Sequence, residues 1–223
     1  MARYGSEHKE ATRRRIVEAA GHRLKRDGID GSGIATLMAD AGLTNGAFYA
    51  HFDSKDDLVA TVVGDQVGRQ ASEFSELPGG RAGLEVFVGE YLSPAHRDHP
   101  DIGCPSAALL DEVGRCTDAT KKAYTAGTKA ILDEICIRLR PDDPESAKGT
   151  ALALFTMLVG SVQLARAVDD RKLSDAVLEQ AAASARALGN FAKAEEIAAR
   201  IPVEAVRKTV RPQGLLAQSQ SSA

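Results

Sequence analysis

Residues 34–58, IATLMADAGLTNGAFYAHFDSKDDL, contain two short helical patterns separated by a tight turn. The apolar residues from Ile34 to Ala41 recur at the spacing of one helical face, and Gly42 is placed to end that helix. Thr44 stands where an N-cap hydroxyl would, so a further helix is predicted to begin at Asn45. Two short helices joined so closely are typical of a helix-turn-helix.

A longer helix is predicted on each side of this stretch. Residues 9–27 repeat apolar side chains at the helical period and stop at Gly28. Ser54 and Asp57 form an S-x-x-D capping box, which predicts the start of a long helix. Its apolar face is formed by Leu58, Val59, Val62, Val63 and Val67.

The helix predicted from Asn45 divides its side chains between two faces. Phe48 and Phe52 are four residues apart and are predicted to point into the core, whereas Asn45 and Tyr49 point the other way. Gly46 keeps the outward face low enough for a DNA groove edge to approach. The orphan N–H groups at the helix start suit a phosphate.

The rest of the chain is also predicted to be helical. Of its 223 residues 43% are hydrophobic, enough for a substantial core, and no stretch alternates as a strand would. We therefore predict an all-α protein with a DNA-binding domain at 1–57, a regulatory and dimerisation domain at 58–209 and a disordered tail at 210–223. The helices of the second domain are predicted at 80–93, 105–115, 117–139, 144–168 and 172–189, with one more within 191–209.

Charge and cysteine content narrow the class of protein. The net charge is −3, but residues 9–26 carry seven basic against two acidic side chains. Such a run is either a solvated helix face or a phosphate-binding patch. Three cysteines without disulfide or zinc spacing favour a reducing compartment, so a cytoplasmic location is expected. The apolar run at 150–165 is short for a bilayer span, and no membrane association is expected.

The stretch from residue 33 to 59 resembles the N-terminal signature of the TetR family of bacterial transcriptional repressors. The resemblance covers about 50 residues and fixes residue types across both turns. The family often has a Ser or Thr as the N-cap of the second helix. This sequence departs from that pattern, because in GSG at 31–33 Ser32 lies slightly before the cap position and Gly33 occupies it. The matching residues are Ala41, Gly42, Leu43, Thr44, Gly46, Tyr49, His51, Phe52, Lys55 and Leu58.

The resemblance implies roles for individual residues. Phosphate contacts are implied for Tyr49, His51 and Lys55, and Thr44 is implied to cap the recognition helix and to touch the DNA backbone. For His51 a structural hydrogen bond is the alternative. Arg14, in the basic run, is expected to approach the flanking backbone. The positions implied to face base edges are Ala35, Thr36, Asn45, Gly46 and Ala47.

One recognition helix contacts too few base pairs to specify a single site in a genome. A homodimer on a pseudo-palindromic DNA operator is therefore expected. The helices at 144–168 and 172–189 are rich in Gly, Ala and Ser, which allows close helix approach between two protomers. The alternative is that these helices are buried within one protomer.

The resemblance also implies a small-molecule effector, of unknown identity, in the second domain; no cofactor or metal is expected. Helical periodicity does not separate a pocket wall from ordinary core, so both interpretations stay open for the candidate residues. These are Phe87, Tyr91, Cys104, Leu109, Tyr124, Phe155, Leu158 and Gln163.

Cys104 raises further hypotheses. Pro105 suits the first turn of a helix, which places the Cys104 thiol at a helix N-terminus as either a redox sensor or a packed, inert side chain. With His96 and His99 it forms a possible zinc trio, and with either histidine as base it is the only thiol nucleophile to consider for an enzyme. A helical bundle that binds a protein partner is the remaining alternative, and we expect no enzymatic activity.

Overall fold

The computed structural model describes residues 2–191, and this part of the chain is all-α, as the sequence predicts. The helices are α1 (Ala2–Asp27), α2 (Ile34–Asp40), α3 (Lys55–Glu76), α4 (Gly80–Tyr91), α5 (Pro94–Asp98), α6 (Pro105–Arg115), α7 (Asp118–Leu139), α8 (Lys148–Ala167) and α9 (Arg171–Gly189). Short 3-10 helices lie at Asn45–Ala50, Pro100–Ile102 and Pro144–Ala147.

Glycine ends the first two helices. Gly28 and Gly42 have φ of +82° and +66°, the left-handed region that side chains with a Cβ rarely adopt. Gly33 is the N-cap of α2, while the Ser32 hydroxyl donates to the Gly28 carbonyl oxygen at 2.7 Å. Of the two candidates, Gly33 and not Ser32 is therefore the N-cap of α2.

The recognition helix, Asn45–Ala50, begins where the sequence predicts but is a 3-10 helix. Its bonds join residues three apart, such as the Ala47 N–H to the Thr44 oxygen at 3.1 Å. In this short segment the tighter 3-10 turn satisfies the backbone. Thr44 occupies the N-cap position, but its side chain makes no cap hydrogen bond, so the predicted hydroxyl cap is wrong.

The predicted capping box at α3 is present. The Ser54 Oγ accepts the Asp57 N–H at 3.1 Å, and the Asp57 carboxylate accepts the Asp53 N–H at 3.2 Å. The predicted apolar face of α3 is buried, and the helix packs closely against α7. A Cβ on Gly127 would lie 2.4 Å from the Val67 Cγ1, so this crossing depends on the glycine.

The second domain follows the predicted helices closely. The sequence missed α5, a helix of five residues in which the Ser93 Oγ accepts the His96 N–H at 3.1 Å. The predicted span 144–168 is divided into the 3-10 helix Pro144–Ala147 and α8. The helix predicted within 191–209 and the tail at 210–223 lie outside the described residues.

One segment of the described chain, Pro144–Ala167, is long and apolar enough to cross a membrane by length and composition. A core helix can meet the same criteria. Leu154, Phe155 and Leu158 of this segment are buried inside the protein, and α8 packs against α9. The segment therefore does not indicate a membrane protein.

Candidate DNA-binding surface

The recognition helix and the residues just after it divide their side chains between core and solvent as the sequence predicts. Phe48 and Phe52 are 0% and 2% exposed, and their ring centroids lie 5.8 Å apart. Tyr49 is 70% exposed, and its ring packs edge-on against Phe48 with centroids 5.2 Å apart. Asn45 is exposed beside it. The buried rings thus hold a polar and aromatic face toward solvent.

The outward face of the recognition helix has free space next to Gly46. A Cβ placed on Gly46 would meet no atom within 4 Å, so nothing within the described chain requires glycine there. Ala47 is half-buried and packs partly against the core, which leaves less of it accessible than of its neighbours. The outward surface is therefore shallow around residues 45–47.

The second helix contributes the rest of the surface. Ala35 and Thr36 are exposed on α2, next to the turn that leads to the recognition helix. The Thr36 hydroxyl donates to the Gly33 carbonyl oxygen at 2.7 Å, which orients its methyl and oxygen. Thr44 is also exposed. The structure thus brings the residues predicted to face base edges onto two adjacent elements.

Lys55 is half-buried at the start of α3. Its Nζ donates to the carbonyl oxygen of Ile29 at 2.7 Å, in the connection between α1 and α2. The ammonium group has two further N–H donors that this bond does not use. The sequence did not predict this tie, because the two residues are 26 positions apart.

The basic side chains of α1 have different surroundings in the folded protein. Arg23 forms ion pairs with Asp27 and Asp40, and Lys25 is buried. Arg13 stacks over the Phe52 ring at 4.3 Å, which places a cation behind the recognition helix. Arg14 is exposed toward the N-terminal half of the helix. Only part of the run is therefore available to a phosphate.

His51 is half-buried next to this cationic region. Burial, together with the charges of Lys9 and Arg13, lowers the pKa of its imidazole. Its Nδ1 atom is buried without a hydrogen-bond partner in the described part of the chain. The imidazole is therefore neutral near pH 7, and the structural hydrogen bond considered from the sequence is absent at Nδ1.

A comparison with protein families locates this surface within a known domain. The family model described as "Bacterial regulatory proteins, tetR family" matches residues 12–62, which include α1, α2, the recognition helix and the start of α3. This part of the chain is similar to the helix-turn-helix DNA-binding domain of TetR-family transcriptional regulators.

Several solved structures share the fold of this chain at low identity. The reduced form of NemR from E. coli has a TM-score of 0.68 and 18% identity, covering 79% of this chain and 96% of NemR. A TetR regulator from Chloroflexus aurantiacus has a TM-score of 0.66 and 20% identity, covering 87% and 97%. FadR from Bacillus subtilis, in complex with stearoyl-CoA, has a TM-score of 0.55 and 16% identity, covering 75% and 96%. No curated protein matches the chain.

Some of the predicted pocket residues cluster in the second domain. Phe87 stacks on Phe74 with ring centroids 4.0 Å apart and lies 5.6 Å from the Tyr91 ring. Burial raises the pKa of Tyr91, and the side chains of Cys104 and Tyr124 add to the rise. The Tyr91 hydroxyl is buried and has no hydrogen-bond partner within the described residues. Tyr91 is therefore the centre of a cluster that contains an unsatisfied polar atom.

The other predicted pocket residues are distributed through the core. Leu109, Phe155 and Leu158 are buried, and Gln163 is half-buried on α8. Two surface clefts of about 240 and 630 Å³ lie elsewhere: the smaller is lined by residues of α5, α8 and α9, the larger by residues around Arg138 and Gly80. Neither cleft contains a residue predicted to line the effector pocket.

Cys104 is the N-cap of α6, as predicted, but its surroundings do not form a catalytic dyad. The His96 Nε2 accepts the Cys104 backbone N–H at 2.9 Å, and its Nδ1–H donates to the Tyr91 carbonyl oxygen at 2.6 Å. The thiol instead donates to the Gln70 Oε1 at 3.0 Å. Burial lowers the pKa of His96 to about 4, which keeps the ring neutral. Both ring nitrogens are engaged, so neither is aimed at the thiol or at a metal.

Contacts between the two domains were not predicted from the sequence. Lys25 donates to the Gly103 carbonyl oxygen at 3.1 Å, and the Glu112 carboxylate accepts the Ile29 N–H at 3.0 Å. Both contacts join residues about 80 positions apart. No local pattern marks such pairs, since only the docking of α1 on α6 brings them together.

Proposed function

We propose that this protein is a homodimeric transcriptional repressor that leaves a pseudo-palindromic operator when a small molecule binds its second domain. The observation that carries the DNA-binding part is the recognition helix, whose aromatic side chains divide between the core and an exposed face. The position of Tyr49, anchored edge-on against Phe48, suits a phosphate contact. Such a regulator would act in the cytoplasm and would have no catalytic activity.

Sequence readout is proposed to depend on Asn45. An exposed Asn at the start of a recognition helix can pair bidentately with adenine in the major groove. Ala35, Gly46 and Ala47 offer methyl or backbone contacts only, so groove shape and phosphate contacts supply much of the affinity. Thr36 is proposed to face base edges beside these residues, and phosphate-backbone contacts are proposed for Thr44, His51, Lys55 and Arg14.

Dimerisation is proposed to use the exposed face of α8 and α9. Four leucines on these helices, Leu152, Leu164, Leu173 and Leu188, are between 44% and 54% exposed. Gly149, Ala153 and Gly160 are exposed on the same helix as Leu152. Large apolar side chains beside small residues permit two copies to pack as a four-helix arrangement.

Effector binding is proposed at the cluster around Tyr91. Its buried hydroxyl lacks a partner, and a ligand that accepts or donates a hydrogen bond there would satisfy it. FadR, which shares this fold, was solved in complex with stearoyl-CoA, which supports ligand binding by a protein of this fold. A ligand that favours one spacing of the two DNA-binding domains by a few kcal/mol can empty an operator.

Selection of bound DNA from a random pool tests the central part of the proposal. We expect the wild-type protein to enrich a two-fold related sequence with half-sites about one DNA turn apart. Asn45→Ala should lose preference at one base position in each half-site, by about 1–3 kcal/mol. Ser72→Ala, an exposed substitution on α3 away from this surface, is the matched control. Binding that is salt-dependent but enriches no sequence would refute the regulator.

A further inference from the structure

The peptide unit at Ile29, in the connection between α1 and α2, is held from two directions. Both oxygens of Glu112, on α6, accept the Ile29 N–H at 3.0 Å, and Oε1 also accepts the Asp30 N–H at 3.2 Å. From the other side, the Lys55 Nζ donates to the Ile29 carbonyl oxygen at 2.7 Å. One link of the DNA-binding domain is therefore bonded to the second domain through a carboxylate.

The local backbone is shaped for this contact. Gly28 has a φ of +82°, and a Cβ on it would lie 2.9 Å from the Glu112 Oε1. The close approach of the carboxylate therefore requires the glycine as well as the turn. Two adjacent N–H groups that converge on one carboxylate form charge-assisted hydrogen bonds, which are stronger than bonds between neutral groups.

Two further contacts lie on the same side of α1. The His22 Nδ1 lies 3.1 Å from the Asp101 carbonyl oxygen, and the Lys25 Nζ donates to the Gly103 oxygen at 3.1 Å. Residues 22 and 25 lie about one helical turn apart on α1, and residue 29 follows the end of that helix; all three reach the segment from 101 to 112. The DNA-binding domain thus contacts the segment from 101 to 112 in addition to the packing of α1 on α3.

The segment from 101 to 112 also starts at the cluster proposed for the effector. Cys104 caps α6 next to Tyr91, and Glu112 lies two turns further along the same helix. A short helix moves as a rigid rod, so a displacement at its first turn reaches Glu112. Hydrogen bonds weaken steeply when their geometry changes, which makes the contact sensitive to such a shift.

We propose that Glu112 is the positioning residue through which α6 sets the orientation of the DNA-binding domain. The regulatory meaning of this contact rests on the proposed function, but the contact itself does not. When α6 moves, the carboxylate carries the Ile29 and Asp30 amides with it or releases them. The recognition helix then changes its angle relative to the second domain.

Three variants and a neighbouring control test this role without DNA. Glu112→Ala removes the acceptor, Glu112→Asp keeps the charge but shortens its reach, and Glu112→Gln keeps one carbonyl oxygen. Asp111→Ala is the control, because Asp111 is highly exposed and pairs along the helix with Arg115. Amide hydrogen exchange at Ile29 and Asp30 and residual dipolar couplings of α1 relative to α7 are measured by NMR.

We expect exchange at both amides to become at least about tenfold faster in Glu112→Ala and Glu112→Asp. Glu112→Gln should recover part of the protection, and Asp111→Ala should match wild type. Couplings from α1 should shrink relative to those from α7 in the Ala and Asp variants, because the DNA-binding domain gains rotational freedom. Unchanged exchange, or couplings that keep their wild-type ratio, would overturn the proposal. A wild-type protein without operator binding would count against the proposed function alone.

Discussion

Burial of Lys25 makes the free energy of unfolding of this protein depend on pH. The side chain is 7% exposed, and burial lowers the pKa of its ammonium group to about 8. The negative charges of Asp101 and Glu73 oppose this shift, and the positive charge of Arg69 adds to it. The Nζ keeps one hydrogen bond, to the Gly103 carbonyl oxygen. The perturbation that isolates this group is Lys25→Met, which keeps the length and removes the charge.

The sign of the effect follows from proton binding. In the unfolded chain the lysine has its ordinary pKa of 10.5, so between pH 8 and 10.5 the unfolded state holds more protons than the folded state. The free energy of unfolding therefore rises with pH across this window. The destabilising contribution is fully present below pH 8 and is relieved as pH approaches 10.5. The two pKa values correspond to a gain of about 3 kcal/mol.

Urea unfolding at fixed protein concentration and several pH values between 7 and 10.5 measures this gain. The difference in unfolding free energy between wild type and Lys25→Met should change by about 3 kcal/mol in favour of wild type as pH rises through the window. Groups that titrate in both proteins cancel in the difference. Lys129→Met, at an exposed position on α7, is the control. A difference that stays flat from pH 8 to 10.5 would show that the Lys25 ammonium is not desolvated.

Three further predictions concern assembly and packing. Leu164→Glu should shift sedimentation from dimer to monomer, whereas Leu110→Glu, a similar change to an exposed leucine on α6, should leave the dimer intact. A Leu164→Glu protein that stays dimeric would exclude α8 from the interface. Gly127→Ala should destabilise the protein by about 1–3 kcal/mol in thermal or urea unfolding, because its Cβ would overlap Val67. Gly68→Ala should instead stabilise it by about 0.5–1 kcal/mol, because its Cβ meets no atom within 4 Å and alanine favours a helix; a loss of stability there would contradict this packing.

The helix boundaries were the most predictable feature. Gly28 and Gly42 end helices because only a residue without a Cβ adopts their positive φ at low cost, and this cause is local. The Ser54 cap is likewise local, since donor and acceptor lie three residues apart. Thr44 is the exception: it occupies the predicted cap position, but its side chain makes no cap bond. The residue at which each helix begins or ends was therefore predictable, whereas the hydrogen bonding of the Thr44 side chain was not.

The candidate site shows the same division. Phe48 and Phe52 were assigned to the core from their spacing, and their burial is confirmed. The tie between Lys55 and Ile29 was not predictable, because the residues meet only after α1 and α3 pack together. The basic run of α1 also gave no sign that Lys25 would be buried while Arg14 stays exposed.

The amino-acid sequence by itself determined the all-α fold, the two helices and turn of the DNA-binding domain, and the side chains on each face of the recognition helix. Helical periodicity, glycine conformation and capping depend on residues that are close together in the chain, so they can be predicted from the sequence. Only the tertiary structure decided that Glu112 and Lys55 hold the same peptide unit, that Lys25 loses its solvent, and that Tyr91 keeps an unsatisfied hydroxyl. Each of these depends on residues far apart in sequence, whose distances are set by how whole helices pack.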